Sequence, residues 1–87
     1  MSMHIEGRRW FERTNGNTYH SVRIFIEGEI ITVPFTYGYG DQYLQTALEE
    51  LRSQLLIPDD KSYGILYVRE TLGASYSVID VGRKKDL

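Results

Sequence analysis

Alternating apolar and polar residues predict a β-hairpin centred on residues 27–28. Val22, Ile24 and Ile26 occupy every second position, so they share one face of a strand over residues 18–26. A two-residue turn at Glu27-Gly28 makes the apolar faces of the two strands coincide. Pro34 cannot donate a ladder hydrogen bond, which predicts either that the third strand lies at a sheet edge or that its pairing ends at Pro34. The predicted pairs are Ile26–Glu29, Ile24–Ile31, Val22–Val33, Ser21–Pro34 and His20–Phe35.

An earlier hairpin is predicted at Asn15-Gly16, because both residues tolerate positive φ. Its strands cover residues 4–13 and 18–26. A two-residue turn sends Phe11 to the Val22 face and Trp10 to the opposite face, whereas a bulged turn sends Trp10 to the core. The sequence leaves both registers open. Residues 5–8 also spell an engineered protease cleavage site, but they continue the strand alternation, which favours native sequence.

A helix is predicted over residues 42–55. Asp41 is a favourable N-cap after the glycine-punctuated residues 35–40, and Pro58 prevents the helix from continuing. One side of this helix is apolar at the spacing i, i+3, i+4, i+7 and i+11. The residues on that side are Leu44, Ala47, Leu48, Leu51 and Leu55.

Two more strands are predicted, over residues 63–70 and 74–81, with a turn near Leu72-Gly73. Pairing across that turn leaves both of their faces partly apolar, which favours burial of one face in a homo-oligomer. The predicted order is therefore β-β-β-α-β-β, an α+β fold with one amphipathic helix packed on a mostly antiparallel sheet. The pairs expected across the last turn are Leu66–Ile79 and Tyr67–Val78.

The 87 residues suffice for one domain, predicted over residues 1–82 and followed by a polar tail over residues 83–87. The absence of cysteine excludes disulfides, thiol nucleophiles and Cys-ligated metals. No apolar run approaches the roughly 20 residues that span a bilayer, and no stretch resembles a signal peptide. We expect a cytoplasmic domain without membrane contact.

Charge is distributed unevenly along the chain. Residues 1–26 carry a net charge of +2, residues 27–60 carry −6 and residues 61–87 carry +2. An uneven field of this kind can steer a partner, whereas the pI of about 5.6 argues against a dedicated duplex binder. The seven tyrosines suit half-buried strands or a protein interface.

Catalytic chemistry finds little support in the sequence. His4 and His20 are the only imidazoles, and adjacent strand residues such as His20 and Ser21 point to opposite faces. No metal-ligand spacing, nucleophile elbow or phosphate loop is present. We expect a non-enzymatic protein with no cofactor, no metal site and no catalytic residues.

Arginines interleaved with aromatic residues form the candidate binding surface. Such residues provide hot spots for proteins or a stacking platform for single-stranded nucleic acid, and they can also be covered by the protein's own helix. A protein partner is the first hypothesis and single-stranded nucleic acid the alternative; a small anionic ligand near the turn at residues 38–41 is a third. The candidate residues are Arg9, Trp10, Phe11, Arg13, Tyr19, Arg23, Phe25, Tyr37 and Tyr39.

The first half of the chain contains four distinctive strings: Arg8-Arg9-Trp10-Phe11, Asn15-Gly16-Asn17-Thr18-Tyr19-His20-Ser21-Val22-Arg23, Pro34-Phe35 and Tyr37-Gly38-Tyr39-Gly40-Asp41-Gln42-Tyr43-Leu44-Gln45-Thr46-Ala47. Together they resemble a family of small uncharacterised proteins of phages and mobile elements. The resemblance covers about residues 5–50, and the family has no assigned activity, so it transfers no functional residue. It implies a phage accessory protein that acts on a host or viral partner in the host cytoplasm. Small size, tyrosine content, uneven charge and the lack of a catalytic cluster favour an inhibitor or adaptor.

Overall fold

A computed structural model describes residues 2–60 and 62–87. It confirms an α+β fold with an amphipathic helix packed on a sheet. The four strands lie in the order β3-β2-β1-β4; β2 pairs antiparallel with both β1 and β3, and β4 runs parallel to β1. The elements are β1 (Met3–Glu12), β2 (Asn17–Ile26), β3 (Glu29–Tyr37), α1 (Gln42–Ser53), α2 (Ile65–Thr71), β4 (Ala74–Val81) and a 3₁₀ turn (Lys84–Asp86).

The predicted strand over residues 63–70 is wrong, because this segment contains the helix α2. The residues of this segment that pack on the core, Ile65, Val68 and Leu72, follow helical spacing. This spacing is hard to recognise in the sequence, because α2 is only seven residues long and is rich in residues that favour strands. The expected pairing of Leu66 with Ile79 and of Tyr67 with Val78 is therefore also wrong. Within residues 2–60 and 62–87, no helix is long and apolar enough to cross a membrane.

The second hairpin has the predicted turn and, from the Val22–Val33 pair to the turn, the predicted register. Glu27 and Gly28 adopt φ angles of 47° and 81°, as a two-residue turn between twisted strands requires, and β3 is an edge strand as predicted. The register shifts between His20 and Val22, where Ser21 lies opposite both Pro34 and Phe35. His20 therefore pairs with Thr36 and not with Phe35.

The first hairpin closes through a four-residue loop, residues 13–16, and not through two residues. Gly16, with φ of 71°, donates its backbone N–H to the Glu12 carbonyl at 2.9 Å. The longer loop shifts the pairing by two positions, which leaves every side chain on the same face. Trp10 lies opposite Tyr19, so the alternative that placed Trp10 in the core is wrong.

The core lies between α1 and one face of the sheet, which we call the helix face. Met3, Ile5, Val22 and Ile24 are buried there. The helix begins after Asp41 as predicted, although the Asp41 side chain makes no capping hydrogen bond. The buried helix residues are Tyr43, Leu44, Ala47, Leu48 and Leu51.

Leu55 does not extend the buried side of α1. The helix ends at Ser53, and Leu55 adopts a left-handed φ of 59° with 82% of its surface exposed. The prediction that Leu55 packs with the other leucines is therefore wrong. Ile57 is buried in its place, beyond the bend.

On the opposite side of the sheet, the open face, neither α1 nor α2 packs, because both contribute to the core on the helix face. Residues 83–87, predicted as a polar tail, lie against this face. The carbonyl oxygens of Asp86 and Leu87 accept hydrogen bonds from Arg8 and Arg23, at 3.1 and 3.3 Å. The strand residues on the open face include His4, Glu6, Arg8, Trp10, Tyr19, Ser21, Arg23, Phe25, Phe35, Tyr37 and Ile79.

Candidate interaction surface

Four aromatic side chains form a row across β1, β2 and β3 on the open face. Trp10 stacks on Tyr19 with ring centroids 5.9 Å apart, and Tyr19 stacks on Phe35 at 4.7 Å. Tyr37 meets Tyr19 edge-on at 5.7 Å. We call Trp10, Tyr19, Phe35 and Tyr37 the aromatic row. Phe35 and Tyr37 are exposed on the edge strand, so the row ends at an open border of the sheet.

Most of the ring faces in this row are already covered. Tyr19 lies between Trp10 and Phe35 with interplanar angles of 26° and 17°. The ammonium of Lys84 lies 4.8 Å from the centroid of Phe35, a cation–π contact. What the row offers to a partner is therefore mainly ring edges and the exposed ring of Tyr37.

The centre of the open face carries two guanidinium groups and one carboxylate. Arg8 Nε donates to Glu6 Oε1 at 3.0 Å, and Arg23 Nη1 lies 3.9 Å from the same oxygen. Between these side chains lies Ser21, which is completely buried. Among the described residues, neither Ser21 Oγ nor Arg23 Nη1 has a hydrogen-bond partner.

His4 and Phe25 occupy the far end of the open face, away from the aromatic row. The ring nitrogens of His4 lie 2.7 Å from Ser75 Oγ and 3.0 Å from Ser77 Oγ, and its ring centroid is 6.3 Å from that of Phe25. Each ring nitrogen therefore has a serine hydroxyl as its hydrogen-bond partner. In a catalytic triad, a carboxylate takes one of these two positions and orients the imidazole.

A separate cleft of about 400 Å³ lies on the helix face. Arg9 is held within it, because its Nε donates to Asp80 Oδ1 at 2.8 Å and its Nη1 donates to the Gly40 carbonyl at 3.1 Å. The carboxylate of Asp80 balances the charge of Arg9, so Arg9 attracts a small anion beside the turn at residues 38–41 less strongly. The residues lining the cleft are Arg9, Phe11, Thr18, Tyr39, Gly40, Asp80 and Val81.

His20 is a buried structural residue. Its Nδ1 lies 3.1 Å from the Gly38 carbonyl and its Nε2 lies 2.6 Å from Thr46 Oγ1. A carbonyl only accepts, so Nδ1 carries the proton and Nε2 accepts from the Thr46 hydroxyl. The imidazole thereby joins β2, the turn before α1, and α1 itself.

The loop of the first hairpin is held by Glu12. Its carboxylate accepts the Asn15 backbone N–H at 2.8 Å and the Asn15 side-chain amide at 2.9 Å. These hydrogen bonds lower the pKa of Glu12, since they favour the charged form. Arg13 is exposed in this loop, apart from the aromatic row and the cleft.

The structure thus separates the predicted binding residues into different regions. Trp10, Tyr19 and Tyr37 meet in the aromatic row, whereas Arg9, Phe11 and Tyr39 line the cleft on the other face. Among residues 2–60 and 62–87, no three His, Cys, Asp or Glu side chains gather as a metal site would require. The remaining predicted residues, each apart from both groups, are Arg13, Arg23 and Phe25.

Sequence reasoning missed Phe35 and Lys84 as parts of this surface. Strict alternation along β3 places Phe35 opposite His20, because it does not account for a bulge. The sequence contains one sign of this bulge: Phe35 follows Pro34, and proline within a strand marks an edge or a bulge. Nothing local linked Lys84 to Phe35, because the contact depends on the tail folding back.

Comparisons with known proteins add no assignment: no family model, no curated protein and no solved structure matches this chain.

Proposed function

We propose that this protein is a non-enzymatic binding protein that contacts a protein partner through the aromatic row. The observation that carries the proposal is a connected set of four rings on a helix-free sheet face, ending in the exposed Phe35 and Tyr37. Aromatic residues dominate protein hot spots because they bury large areas at little entropic cost. Tyr37 is 61% exposed and is the principal anchor in this proposal.

Ring geometry favours a protein partner over single-stranded nucleic acid. Base stacking needs free ring faces, but both faces of Tyr19 are occupied by neighbouring rings, and Lys84 lies over the ring of Phe35. A protein surface can instead pack against ring edges and aliphatic groups. Nucleic-acid binding remains the alternative, through the exposed ring of Tyr37.

The biological role proposed here rests on the resemblance to small phage and mobile-element proteins. In that setting the protein acts in the host cytoplasm as an inhibitor or adaptor of a host or viral protein. A sheet with one exposed aromatic border suits such a role, because side chains held on a preformed sheet lose little conformational freedom on binding.

We also propose self-association. Ile30 on β3 and Ile79 on β4 are both more than half exposed, and small domains gain stability by burying such side chains in a dimer. Sedimentation at high micromolar concentration is expected to show a dimer. A monomer throughout that range contradicts this proposal and leaves the protein-partner proposal standing.

The experiment that tests the partner proposal compares Tyr37→Ser with Leu66→Ser. Both residues are 61% exposed, but only Tyr37 belongs to the aromatic row, so Leu66→Ser controls for general loss of surface hydrophobicity. Each immobilised protein captures partners from lysate, with and without nuclease. We expect a nuclease-resistant protein that binds the wild type and Leu66→Ser and is lost from Tyr37→Ser.

Two outcomes contradict the proposal. Equal capture by Tyr37→Ser removes the aromatic row from the interface. If nuclease abolishes the capture, the surface binds nucleic acid, and the affinity for nucleic acid should then fall steeply as the salt concentration rises.

A further inference from the structure

Two arginine side chains on the open face bind backbone oxygens of residues 83–87. Arg8 Nη1 donates to the carbonyl of Asp86 at 3.1 Å, and Arg23 Nη2 donates to the carbonyl of Leu87 at 3.3 Å. The acceptor on Asp86 is a neutral backbone carbonyl, whereas guanidinium groups form their shorter and stronger hydrogen bonds with carboxylates. The contact with Asp86 therefore leaves Arg8 able to bind a carboxylate more strongly than it binds the tail.

The same region contains polar atoms that the tail leaves without partners. Ser21 Oγ and Arg23 Nη1 are both buried, and neither has a hydrogen-bond partner among the described residues. Buried polar atoms without partners are uncommon and costly. Arg23 also contacts the tail, so these atoms mark a site whose donors exceed the acceptors that the described residues supply.

The charge of this site is positive. Arg8 and Arg23 share the single carboxylate of Glu6, at 3.0 and 3.9 Å, and Lys84 adds a further cation over Phe35. A group that supplies negative oxygens here would satisfy the free donors and balance the excess charge.

We infer that residues 83–87 occupy, in cis, a carboxylate-binding site at the centre of the open face, and that an acidic segment of the partner protein displaces them. The inference rests on the proposed function, because it names the chemistry of the partner at that surface. The partner's Asp or Glu side chains bind Arg8, Arg23 and Ser21, and its apolar residues then reach the aromatic row beside them.

A hexaglutamate peptide tests this inference on the full chain. Trp10 is the only tryptophan and lies in the aromatic row, so its fluorescence reports an event on this face. The amides of Asp86 and Leu87 donate within the tail at 3.0 and 3.1 Å, and a displaced turn of this length does not hold such bonds. We expect a saturable change in Trp10 emission together with about tenfold faster hydrogen exchange at both amides.

Arginine variants separate this site from general charge effects. Arg8→Gln and Arg23→Gln should each weaken hexaglutamate binding about tenfold or more. Arg69→Gln is the matched control, because Arg69 lies on α2 and pairs with Glu70. Circular dichroism checks that each variant is folded, and a salt titration of the wild-type complex tests the charge dependence without any substitution.

Several results would overturn the inference. Unchanged exchange at Asp86 and Leu87 under saturating peptide shows that the tail is not displaced. An equal response to hexaglutamine shows that charge does not drive the binding. A response to oligothymidine or inorganic phosphate, without a response to hexaglutamate, shows that the site does not bind an acidic protein segment. If the tail amides stay protected while Tyr37→Ser still abolishes capture, only this inference fails and the proposed function stands.

Discussion

The ring of Tyr43 on α1 lies directly over Gly7 on β1. A Cβ atom at position 7 would lie 2.6 Å from Cγ of that ring, closer than carbon atoms approach without displacement. The strand therefore accepts the helix at this point only because residue 7 has no side chain.

Gly7→Ala should destabilise the protein by about 1–3 kcal/mol, because the added methyl group overpacks the contact with Tyr43. Chemical denaturation measures the change. In a Tyr43→Ala background the same substitution should cost under about 1 kcal/mol, since its clashing partner is gone. Equal costs in both backgrounds would show that the ring is not the obstacle.

Leu51→Ala should cost about 2–5 kcal/mol, because Leu51 is fully buried against the sheet and its truncation leaves a cavity. Leu55→Ala provides the matched control, since Leu55 is 82% exposed on the same segment and should change stability by less than about 0.5 kcal/mol. Similar shifts of the denaturation midpoint for both variants would contradict the assignment of the buried side of α1.

Thr46→Val should destabilise the protein by about 1–3 kcal/mol, because it removes the hydroxyl bonded to the buried His20 Nε2 and leaves that nitrogen without a partner. Thr46→Ser keeps the hydroxyl and should retain most of the stability. Thermal unfolding measures the stability of both variants. A Thr46→Val variant as stable as wild type contradicts the prediction.

Stability should fall at alkaline pH partly through Tyr43. Burial, with Asp41 as a second cause, raises the pKa of Tyr43 above the ordinary value of 10.0. The folded state therefore favours the protonated phenol. This contribution is complete below about pH 10 and is lost as the pH rises through the folded-state pKa. Tyr43→Phe should show a shallower loss of stability than wild type above pH 10 in urea denaturation; parallel curves would contradict the assignment.

Replacing both Tyr19 and Arg23 by alanine should lower the melting temperature. Tyr19 lies between two rings, and Arg23 bonds to the Leu87 carbonyl near Glu6, so both residues contribute to the fold as well as to the surface. Tyr37→Ala should leave the melting temperature within a few degrees of wild type, because Tyr37 is mostly exposed. If the double variant has the same melting temperature as the wild type, Tyr19 and Arg23 contribute to partner binding and not to the stability of the fold.

Local patterns in the sequence determined the second hairpin, the main helix and the place of the first hairpin, although not its loop length. The apolar stripe of Val22, Ile24 and Ile26 fixes the register with β3, because a shift of one residue would expose the whole stripe. Helical spacing likewise predicts the buried leucines of α1. These features depend on residues close together in the chain, whose geometry the backbone period imposes directly.

The partners of β4, the identity of α2 and the composition of the open face were decided only by tertiary structure. Residues 65–71 suit a strand or a helix alone, but the chain must cross from β3 at one edge to β4 at the other, and parallel pairing with β1 requires such a crossover connection. The bulge at Phe35 and the tail's contacts with Arg8 and Arg23 join residues that are distant in the chain. Only the packed sheet brings these groups together, because a local period carries no information about which distant residues come into contact.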